Sequence, residues 1–508
     1  GQGVELAHQV VAAVHQRWEE LLAKIFRDGL DLAAISRPPA IVWVCVPPLL
    51  GGYSQQWTRG QALLTARRRV RDFMPFESTG HDQCALSPRW CAVDADYLQN
   101  ERLRKSPRAR TPLSVLSWVK RLHGGRFPST PSIASAPFRH EVLQAAHRKS
   151  IRSAIESLWK IVKQLKAPEE RAIDGLRVTT SVPEPIRWFA QSSGPWIYPD
   201  RWQASSIAHD LGRPEDEIRP LAERGRQAAK NLIDIATKEY GIAAPSSYMA
   251  VLAQDIDSMG LYLSGKARNA AGNLLDVSPD THRQVSLDLA NIAKKHLAIL
   301  TDRCRRDTPL LGVPVYRGGD DLLALLPAGS ALAAARECRE AVPIELPTAS
   351  TAVLFFHAKD SLQEAVSAAR ALLAEAKAAR SEKNMLAVGY LRRSGTKAQS
   401  IQPWDGDPHA VDLFAGEPAG RLSPRLVADL TRDADQLHEL AKQNPQLFRA
   451  ELIRLVRRHL PDQAKAAAPA IGERLFRLGW DEGSHGAKRP LPIEAARVNV
   501  FLREFVCG

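Results

Sequence analysis

The sequence has no long hydrophobic run. Hydrophobic residues make up 44% of the 508 positions, an ordinary share for a globular protein. No stretch approaches the roughly 18 uninterrupted apolar residues that a membrane-spanning helix needs. The first residues also lack the charged, apolar and small-residue order of a signal peptide. We therefore expect a soluble protein of the cytoplasm with no membrane partner.

Cysteine is equally scarce. The six cysteines are Cys45, Cys84, Cys91, Cys304, Cys338 and Cys507. They are too few and too scattered for a disulfide framework in a chain of this length, so we expect reduced thiols. The length itself exceeds the roughly 250–300 residues at which a single core stops growing, which predicts about three or four domains.

Negative charge is in deficit, because 69 Lys and Arg residues face 56 Asp and Glu residues and leave a net charge of +13. This excess favours a polyanionic partner, although charge alone does not say whether that partner is nucleic acid. Two runs concentrate the charge: Arg67, Arg68, Arg69 and Arg71, then Arg102, Arg104, Lys105, Arg108 and Arg110. Each run is equally well explained as a solvated basic face.

The most informative motif is a Gly-Gly-Asp-Asp tetrad, Gly318 to Asp321, between two apolar runs. This pattern is typical of a β-hairpin with the tetrad at its tip. Gly318 and Gly319 can take positive φ and let a ligand approach the backbone. Asp320 and Asp321 tolerate turns and supply hard oxygen ligands. The tetrad therefore predicts a metal site, and with magnesium as the metal the ligand is a nucleoside triphosphate.

The order of elements around the tetrad predicts the fold of residues 245–400. The predicted elements are a strand at 248–253, a helix at 279–303, the hairpin at 313–317 and 322–326, a helix at 330–341, a strand at 351–356, a helix at 361–380 and a closing strand at 385–391. Strand–helix–strand–strand–helix–strand is the ferredoxin-like pattern, an antiparallel sheet with helices on one face. Polymerase and nucleotidyl-cyclase palms use this pattern.

The rest of the chain completes an α+β prediction with two ferredoxin-like, palm-type domains. Residues 1–40 are predicted to hold an N-terminal helix. The β-branched and aromatic run 41–46 predicts a buried strand opening a first palm-like domain, 41–140, with an inserted loop that carries the second basic run and cysteines. That domain continues to about 240 through a helical segment, 141–244. Residues 401–508 are predicted to be a helical domain.

A second acidic pair follows the first strand of the tetrad domain. Asp255 and Asp257 share one face if the strand continues, with Ile256 turned into the core. Asp255 is then expected to converge with Asp320 or Asp321 into an oxygen cluster for two Mg²⁺ ions.

Two lysines are candidate ligands of a triphosphate. Lys377 ends a predicted helix and Lys383 precedes the last strand, where both could meet phosphates as point charges. Lysines at helix C-termini are also favourable to the helix dipole, which is an equally good explanation for each alone.

Together these residues resemble the large palm-containing subunit of type III CRISPR RNA-guided complexes, in its Cmr-type branch. The matching segments are Tyr316 to Ala324, Asp255 to Gly260, His282 to Ser286, Phe356 to Lys359, Phe127 to Thr130 with Ile133 and Ala134, and Arg67 to Phe73. The resemblance implies a palm that polymerises ATP into cyclic oligoadenylate when the complex captures target RNA. It implies guide RNA and other effector subunits as partners, Mg²⁺ or Mn²⁺ held by Asp255, Asp320 and Asp321, and nucleotide contacts from Gly318, Gly319, Ile256, Asp257, Lys377 and Lys383.

The chain departs from that family pattern in three places. Members usually have glycine where this chain has Ile256. The isoleucine places a side chain at a position where a ligand usually approaches the backbone closely. Many begin with an HD-type nuclease domain, which we do not expect here, because His81-Asp82 and His209-Asp210 lie in no matching context. The family's zinc loop has two Cys-x-x-Cys pairs, whereas only Cys84 and Cys91, with His81 nearby, remain, so we expect no zinc.

Three functions stay open on this evidence. The first is a cyclic oligoadenylate synthase within a guide-RNA complex. The second is a catalytically inactive scaffold subunit of the same kind of complex, which Ile256 and the reduced cysteine loop favour. The third is a stand-alone cyclic dinucleotide synthase, which fits the hairpin but not the basic runs or the length.

Overall fold

The computed structural model describes residues 2–27, 40–47, 51–70, 82–87, 90–104, 111–123, 127–302, 309–392, 395, 397–404, 422–479 and 492–506. In these residues no helix is both long enough and apolar enough to cross a membrane.

The N-terminal region is helical. Its helices are α1 (Gln2–Ile25), α2 (Gly52–Arg69), α3 (Glu101–Arg104) and α4 (Val115–His123). Trp18, Leu22 and Trp118 form a small core with Cys84 and Leu98.

The strand expected over 41–46 is wrong, because these residues pair with no strand in the part of the chain that the structure describes. They lie against helices instead: Trp43 contacts the ring of His8, and the carbonyl of Val46 accepts a hydrogen bond from Gln56. β-branched residues favour extended backbone, but a strand also needs a neighbouring strand.

A helical block follows. It consists of α5 (Thr130–Ala134), α6 (Ala136–Gln144), α7 (Lys149–Leu165), α8 (Glu184–Ser192), α9 (Ala204–Leu211) and α10 (Glu215–Tyr240). The helical segment predicted at 141–244 is present. The described residues between 40 and 244 contain isolated bridges but no strand, so the sheet of a first palm is not found among them. The predicted domain boundaries stay predictions.

The inserted loop differs from its prediction at its C-terminal end. The turn-rich segment 127–134 belongs to the predicted loop, but Pro131, Ser132, Ile133 and Ala134 lie in α5 and are buried. Ser129 caps this helix, and Pro131 lies in its first turn, where a missing backbone N–H costs nothing.

The third region carries the only sheet among the described residues. Its elements are β1 (Tyr248–Ile256), α11 (Met259–Leu263), α12 (Pro279–Thr301), β2 (Val313–Gly318), β3 (Asp321–Pro327), α13 (Ala331–Glu340), β4 (Ala349–His357), α14 (Leu362–Ala378), β5 (Met385–Leu391) and β6 (Lys397–Pro403). The sheet order is β2-β3-β1-β4-β5-β6. The order β2-β3-β1-β4 is the ferredoxin-like arrangement, so the predicted fold of this region is confirmed.

Two details of that sheet correct the prediction. It is mixed, because β4 and β5 are parallel and α14 connects them as a crossover. Helices also cover both faces of the sheet. Side chains alternate along β1, so that Ala250 and Leu252 pack on α13 on one face, whereas Val251 and Ala253 pack on α14 on the other. The sheet therefore has no face open to solvent along β1, in contrast to the predicted arrangement with helices on one face.

A sixth strand was also missed. Strand β6 pairs antiparallel with β5, although residues after 401 were expected to be helical. Its buried residues include Ser400 and Gln402. Because these buried side chains are polar, β6 lacks the alternation of apolar and polar residues by which a strand is predicted.

The C-terminal region is helical, as predicted. It contains α15 (Pro424–Arg432), α16 (Ala434–Gln443), α17 (Pro445–His459), α18 (Ala468–Gly479) and α19 (Ile493–Phe505). Helix α19 packs Phe501 on Tyr390 of the sheet, with the ring centroids 4.2 Å apart, so this helix joins the C-terminal region to the palm-like sheet.

Candidate metal and nucleotide site

Three carboxylates meet at the tip of the hairpin. Asp255 is the eighth residue of β1 and lies directly opposite Asp321, the first residue of β3. Asp320 occupies the two-residue loop beside Gly319. One ligand oxygen from each of the three side chains lies within 4.8 Å of the others. Asp255 and Asp320 are half-buried and Asp321 is exposed, so the cluster is open to a ligand.

The glycines shape the loop that carries Asp320. Gly319 has a φ of +60°, the left-handed region that favours glycine at the first position of a tight hairpin loop. A Cβ at Gly319 would meet nothing within 4 Å, so the backbone there is open. The Ile256 N–H donates to the Asp320 carbonyl at 3.1 Å and ties the loop to the end of β1.

Lys377, in the last turn of α14, is the cation of the site. Its ammonium forms an ion pair with the Asp255 carboxylate and lies 3.9 Å from Asp257 Oδ1. Burial, and then the positive charge of Lys383, lower the pKa of Lys377 to about 8. Lys377 therefore stays mostly protonated at neutral pH and is held among the acidic groups of the site.

Asp257 lies outside the open carboxylate cluster. Its side chain is 3% exposed and accepts hydrogen bonds from Thr348 Oγ1 (2.9 Å), Ser350 Oγ (2.9 Å) and the Asn384 N–H (3.0 Å). Burial raises the pKa of Asp257, while the hydrogen bonds from Asn384, Ser350 and Thr348 act in the opposite direction. A carboxylate with three internal donors and almost no exposed surface has little capacity left for a nucleotide.

Ile256 turns away from the carboxylates, into the core as predicted. Its side chain is 2% exposed and packs with Met259, Tyr262, Leu346 and Ala349. Because neighbouring strand residues point to opposite faces, the Ile256 side chain does not enter the space in front of Asp255.

Lys383 contacts the segment that follows β1. Its ammonium donates to Ser258 Oγ at 2.9 Å, which joins the segment before β5 to the segment after β1. Lys383, Asn384 and Ser258 all have left-handed backbones, with φ between 56° and 59°. Ser258, Thr348, Ser350 and Asn384 were not singled out from sequence. Only Asn384, a residue type that tolerates positive φ just before a strand, carried a usable signal.

The remaining predicted residues lie away from the cluster. Cys84 is buried and close to Ser117, with Sγ 3.4 Å from the hydroxyl oxygen. Burial alone would raise the pKa of Cys84, but hydrogen bonds from Ser117, Ser114 and Leu86 lower it to about 7. Cys91 pairs through its backbone with Gln83, and His81 lies outside the described residues.

The first basic run is exposed where it is described. Arg67, Arg68 and Arg69 form the last turn of α2 and are exposed, and Arg104 at the end of α3 is half-buried. Arg71, Lys105, Arg108 and Arg110 lie outside the described residues.

A hairpin with two aspartates beside the last residues of a central strand, in a ferredoxin-like sheet, defines the class: a palm domain of the nucleotidyltransferase type. Residues 248–387 match the family model of the second palm domain of Cas10/Cmr2. This match confirms the predicted resemblance to the Cmr-type palm subunit.

Known proteins resemble the chain over larger stretches. The CRISPR system Cmr subunit Cmr2 of Pyrococcus furiosus is 25% identical over 298 residues, which are 52% of this chain and 32% of that protein. The chain thus covers about a third of this curated relative.

Solved structures resemble the chain at low identity. One is the cryo-EM structure of the type III-B Cmr-beta bound to cognate target RNA, with a TM-score of 0.46, 14% identity and coverage of 89% of this chain and 61% of the matched one. Another is the crystal structure of a Csm1-Csm4 cassette in complex with cA4, with a TM-score of 0.30, 18% identity and coverage of 51% and 37%.

Proposed function

We propose that the chain is a subunit of a type III RNA-guided effector complex of the cytoplasm, and that its palm polymerises ATP into cyclic oligoadenylate. The observation that carries the proposal is the convergence of Asp255, Asp320 and Asp321 within 4.8 Å at an open hairpin tip. The palm-family match over 248–387 supports the same reading. The relative named Cmr2, and structures holding target RNA or cA4, suggest the partners and the product.

The residues present fit a divalent cation. Three carboxylates whose oxygens lie within 4.8 Å of one another repel unless a cation lies among them. Carboxylate oxygens are the ligands that Mg²⁺ and Mn²⁺ prefer. Asp255, Asp320 and Asp321 would hold the metal, which neutralises triphosphate charge and makes a ribose hydroxyl easier to deprotonate. The open backbone at Gly319 leaves room for the triphosphate beside it, whereas Gly318 lies against the ring of Tyr316.

The chain's own cations complete the chemistry. Lys377 and Lys383 bind the β- and γ-phosphates of ATP, so that the pyrophosphate leaves as a compensated anion. In the reaction, the bond forms between a ribose hydroxyl oxygen and the α-phosphorus, and the bond from that phosphorus to pyrophosphate breaks. The hydroxyl proton goes to a carboxylate or to water, and no residue is assigned as the base.

The inactive scaffold remains the second candidate, and one contact favours it. Asp255 is already ion-paired with Lys377, so the cluster has an internal counterion and is compatible with a fold that needs no metal. In that case the basic face at the end of α2 would still bind RNA through its phosphates.

One experiment separates the two candidates. The complete complex, with guide RNA and matching target RNA, is incubated with ATP and Mn²⁺, and the products are separated by chromatography and weighed by mass spectrometry. We expect cyclic oligoadenylate from the wild type and none from Asp320→Ala. Unchanged ATP in the wild type, with target RNA bound, would leave only the scaffold function.

A further inference from the structure

Three residues near the site that are not glycine have a left-handed backbone. Ser258, Lys383 and Asn384 have φ values of 56°, 59° and 56°. A left-handed residue other than glycine is strained and persists only where its surroundings hold it. Two consecutive ones before a strand therefore need an anchor, and the structure contains one.

That anchor is the buried carboxylate of Asp257. It accepts from the Asn384 N–H at 3.0 Å and from the hydroxyl groups of Thr348 and Ser350, both at 2.9 Å. The Asp257 N–H also donates to the Thr348 carbonyl at 2.7 Å. One side chain thereby ties the end of β1 to the start of β4 and to the turn that leads into β5.

Asn384 is fixed from every side. Besides its bond to Asp257, its side-chain oxygen accepts from Arg339 Nη2 at 2.7 Å, and its carbonyl accepts from the Trp404 N–H at 2.8 Å. With Asn384 held, the preceding residue has little freedom, and the Lys383 ammonium is placed on Ser258, next to Asp257 itself. Lys383 and Asp257 are thereby linked through Asn384 and Ser258, their neighbours in the chain.

We propose that Asp257 is a positioning residue: it does not bind metal or nucleotide, and it acts by holding the Lys383–Asn384 turn so that Lys383 faces the triphosphate. This assigns Asp257 a different role from the nucleotide contact that the sequence resemblance implied. The part concerning triphosphate rests on the proposed function, whereas the part concerning the turn does not.

The turn is tested without any nucleotide. In Asp257→Asn, hydrogen–deuterium exchange of the peptide spanning 381–386 should become at least about tenfold faster, since an amide oxygen cannot accept all three donors. Peptides of β1 and β3 should keep their protection. Unchanged exchange at 381–386 in a folded variant would overturn the proposal, whether or not the protein uses ATP.

The nucleotide arm is a double-mutant cycle on the full-length protein. The binding of a non-hydrolysable ATP analogue with Mn²⁺ is measured for Asp257→Asn, Lys383→Ala and the double variant. Each single change should weaken binding about tenfold, and the double variant by little more, because both changes remove the same charged contact. Lys397→Ala, an exposed lysine at the far end of the sheet on β6, is the matched control and should bind normally.

Other outcomes have defined meanings. If the two effects multiply to about a hundredfold, Asp257 acts independently of Lys383 and the proposal fails. The affinity for Mn²⁺ without nucleotide is measured by the electron paramagnetic resonance of free Mn²⁺. If Asp257→Asn lowers this affinity, Asp257 is a metal ligand and the proposal fails. If the wild type binds no analogue, the proposed function fails and the exchange arm still decides the role of Asp257.

A milder variant guards against unfolding. Thr348→Val removes one of the three donors to Asp257 with nearly the same shape. With Lys383 present, Thr348→Val should weaken the binding of the ATP analogue about threefold. Added to Lys383→Ala, it should cause no further loss of binding. A threefold loss in both backgrounds would contradict the proposal.

Discussion

Asp255 and Asp321 face each other across the antiparallel ladder of β1 and β3. Like charges directly opposite in a sheet are destabilising, and Asp320 adds a third carboxylate within 4.8 Å. Lys377 compensates only Asp255 by direct contact. We expect this arrangement to lower the stability of the empty site, and a bound cation would make it favourable.

Asp321→Asn should separate the repulsion in the empty site from the binding of a cation. In the presence of a chelator, the variant should have a free energy of unfolding about 0.5 kcal/mol higher than the wild type, because one repulsion is removed. ATP turnover should fall about a hundredfold or more, since a metal ligand is weakened. Denaturant unfolding and product analysis give the two readouts.

Asp276→Asn is the control, because Asp276 is exposed and lies outside the cluster. It should change neither quantity. A loss of stability in metal-free Asp321→Asn would contradict the repulsion argument.

Mn²⁺ should stabilise the wild type by mass action. At about 100 times its dissociation constant it adds about 2.7 kcal/mol to the free energy of unfolding. The measurement is a denaturant titration with and without Mn²⁺. Most of the gain should disappear in Asp321→Asn, and an equal gain in both proteins would place the metal elsewhere.

The convergence of Asp255 with the hairpin could be predicted from sequence. Strand alternation fixes the face of Asp255, and the ferredoxin-like element order places β1 beside β3. Both rules depend only on local pattern and chain order. The same alternation correctly predicted that Ile256 points into the core.

The rest of the site could not be predicted in this way. The burial of Asp257 depends on hydroxyl groups of β4 and on the turn before β5, about 90 to 130 residues away along the chain. No periodicity encodes such a contact. Strand β6 was missed because its inward positions Ser400 and Gln402 are polar. The run at 41–46 is not a strand, since none of the described residues pairs with it.

Lys377→Ala should change metal binding and nucleotide binding in opposite directions. Mn²⁺ alone should bind about threefold more tightly, because Asp255 loses a competing cation. The ATP analogue with Mn²⁺ should bind about tenfold more weakly, because a phosphate contact is lost.

Electron paramagnetic resonance of free Mn²⁺ and a fluorescent ATP analogue measure the two affinities. Lys397→Ala again serves as the control. If both affinities weaken, Lys377 supports the fold of the site and does not compete with the metal.

His296 should make stability depend on pH. Its Nε2–H donates to the Cys338 carbonyl at 3.0 Å in a buried position, and burial lowers the pKa of His296 from the usual 6.5, opposed by that hydrogen bond. The unfolded chain then binds a proton at a higher pH than the folded protein does. The free energy of unfolding should therefore fall as pH drops below about 6.5 and should not depend on this group above that value.

Urea unfolding of the wild type and His296→Gln between pH 5 and 8 checks this. Glutamine still offers an N–H to the Cys338 carbonyl but does not titrate. The difference between the two proteins should be constant above about pH 6.5 and shrink below it. A difference independent of pH would mean that His296 is not kept neutral by the fold.

A substitution of Ile256 tests whether the palm needs glycine after Asp255. Its side chain is 2% exposed among Met259, Tyr262 and Leu346, away from the carboxylates. Ile256→Gly should therefore cost about 3–5 kcal/mol of stability through a cavity and a freer backbone, without raising ATP turnover. Ile256→Val, the matched control, should cost about 1 kcal/mol and leave turnover unchanged. Turnover that rises severalfold in Ile256→Gly would mean that the isoleucine restrains the backbone at the site, and the scaffold function would then gain support for the natural sequence.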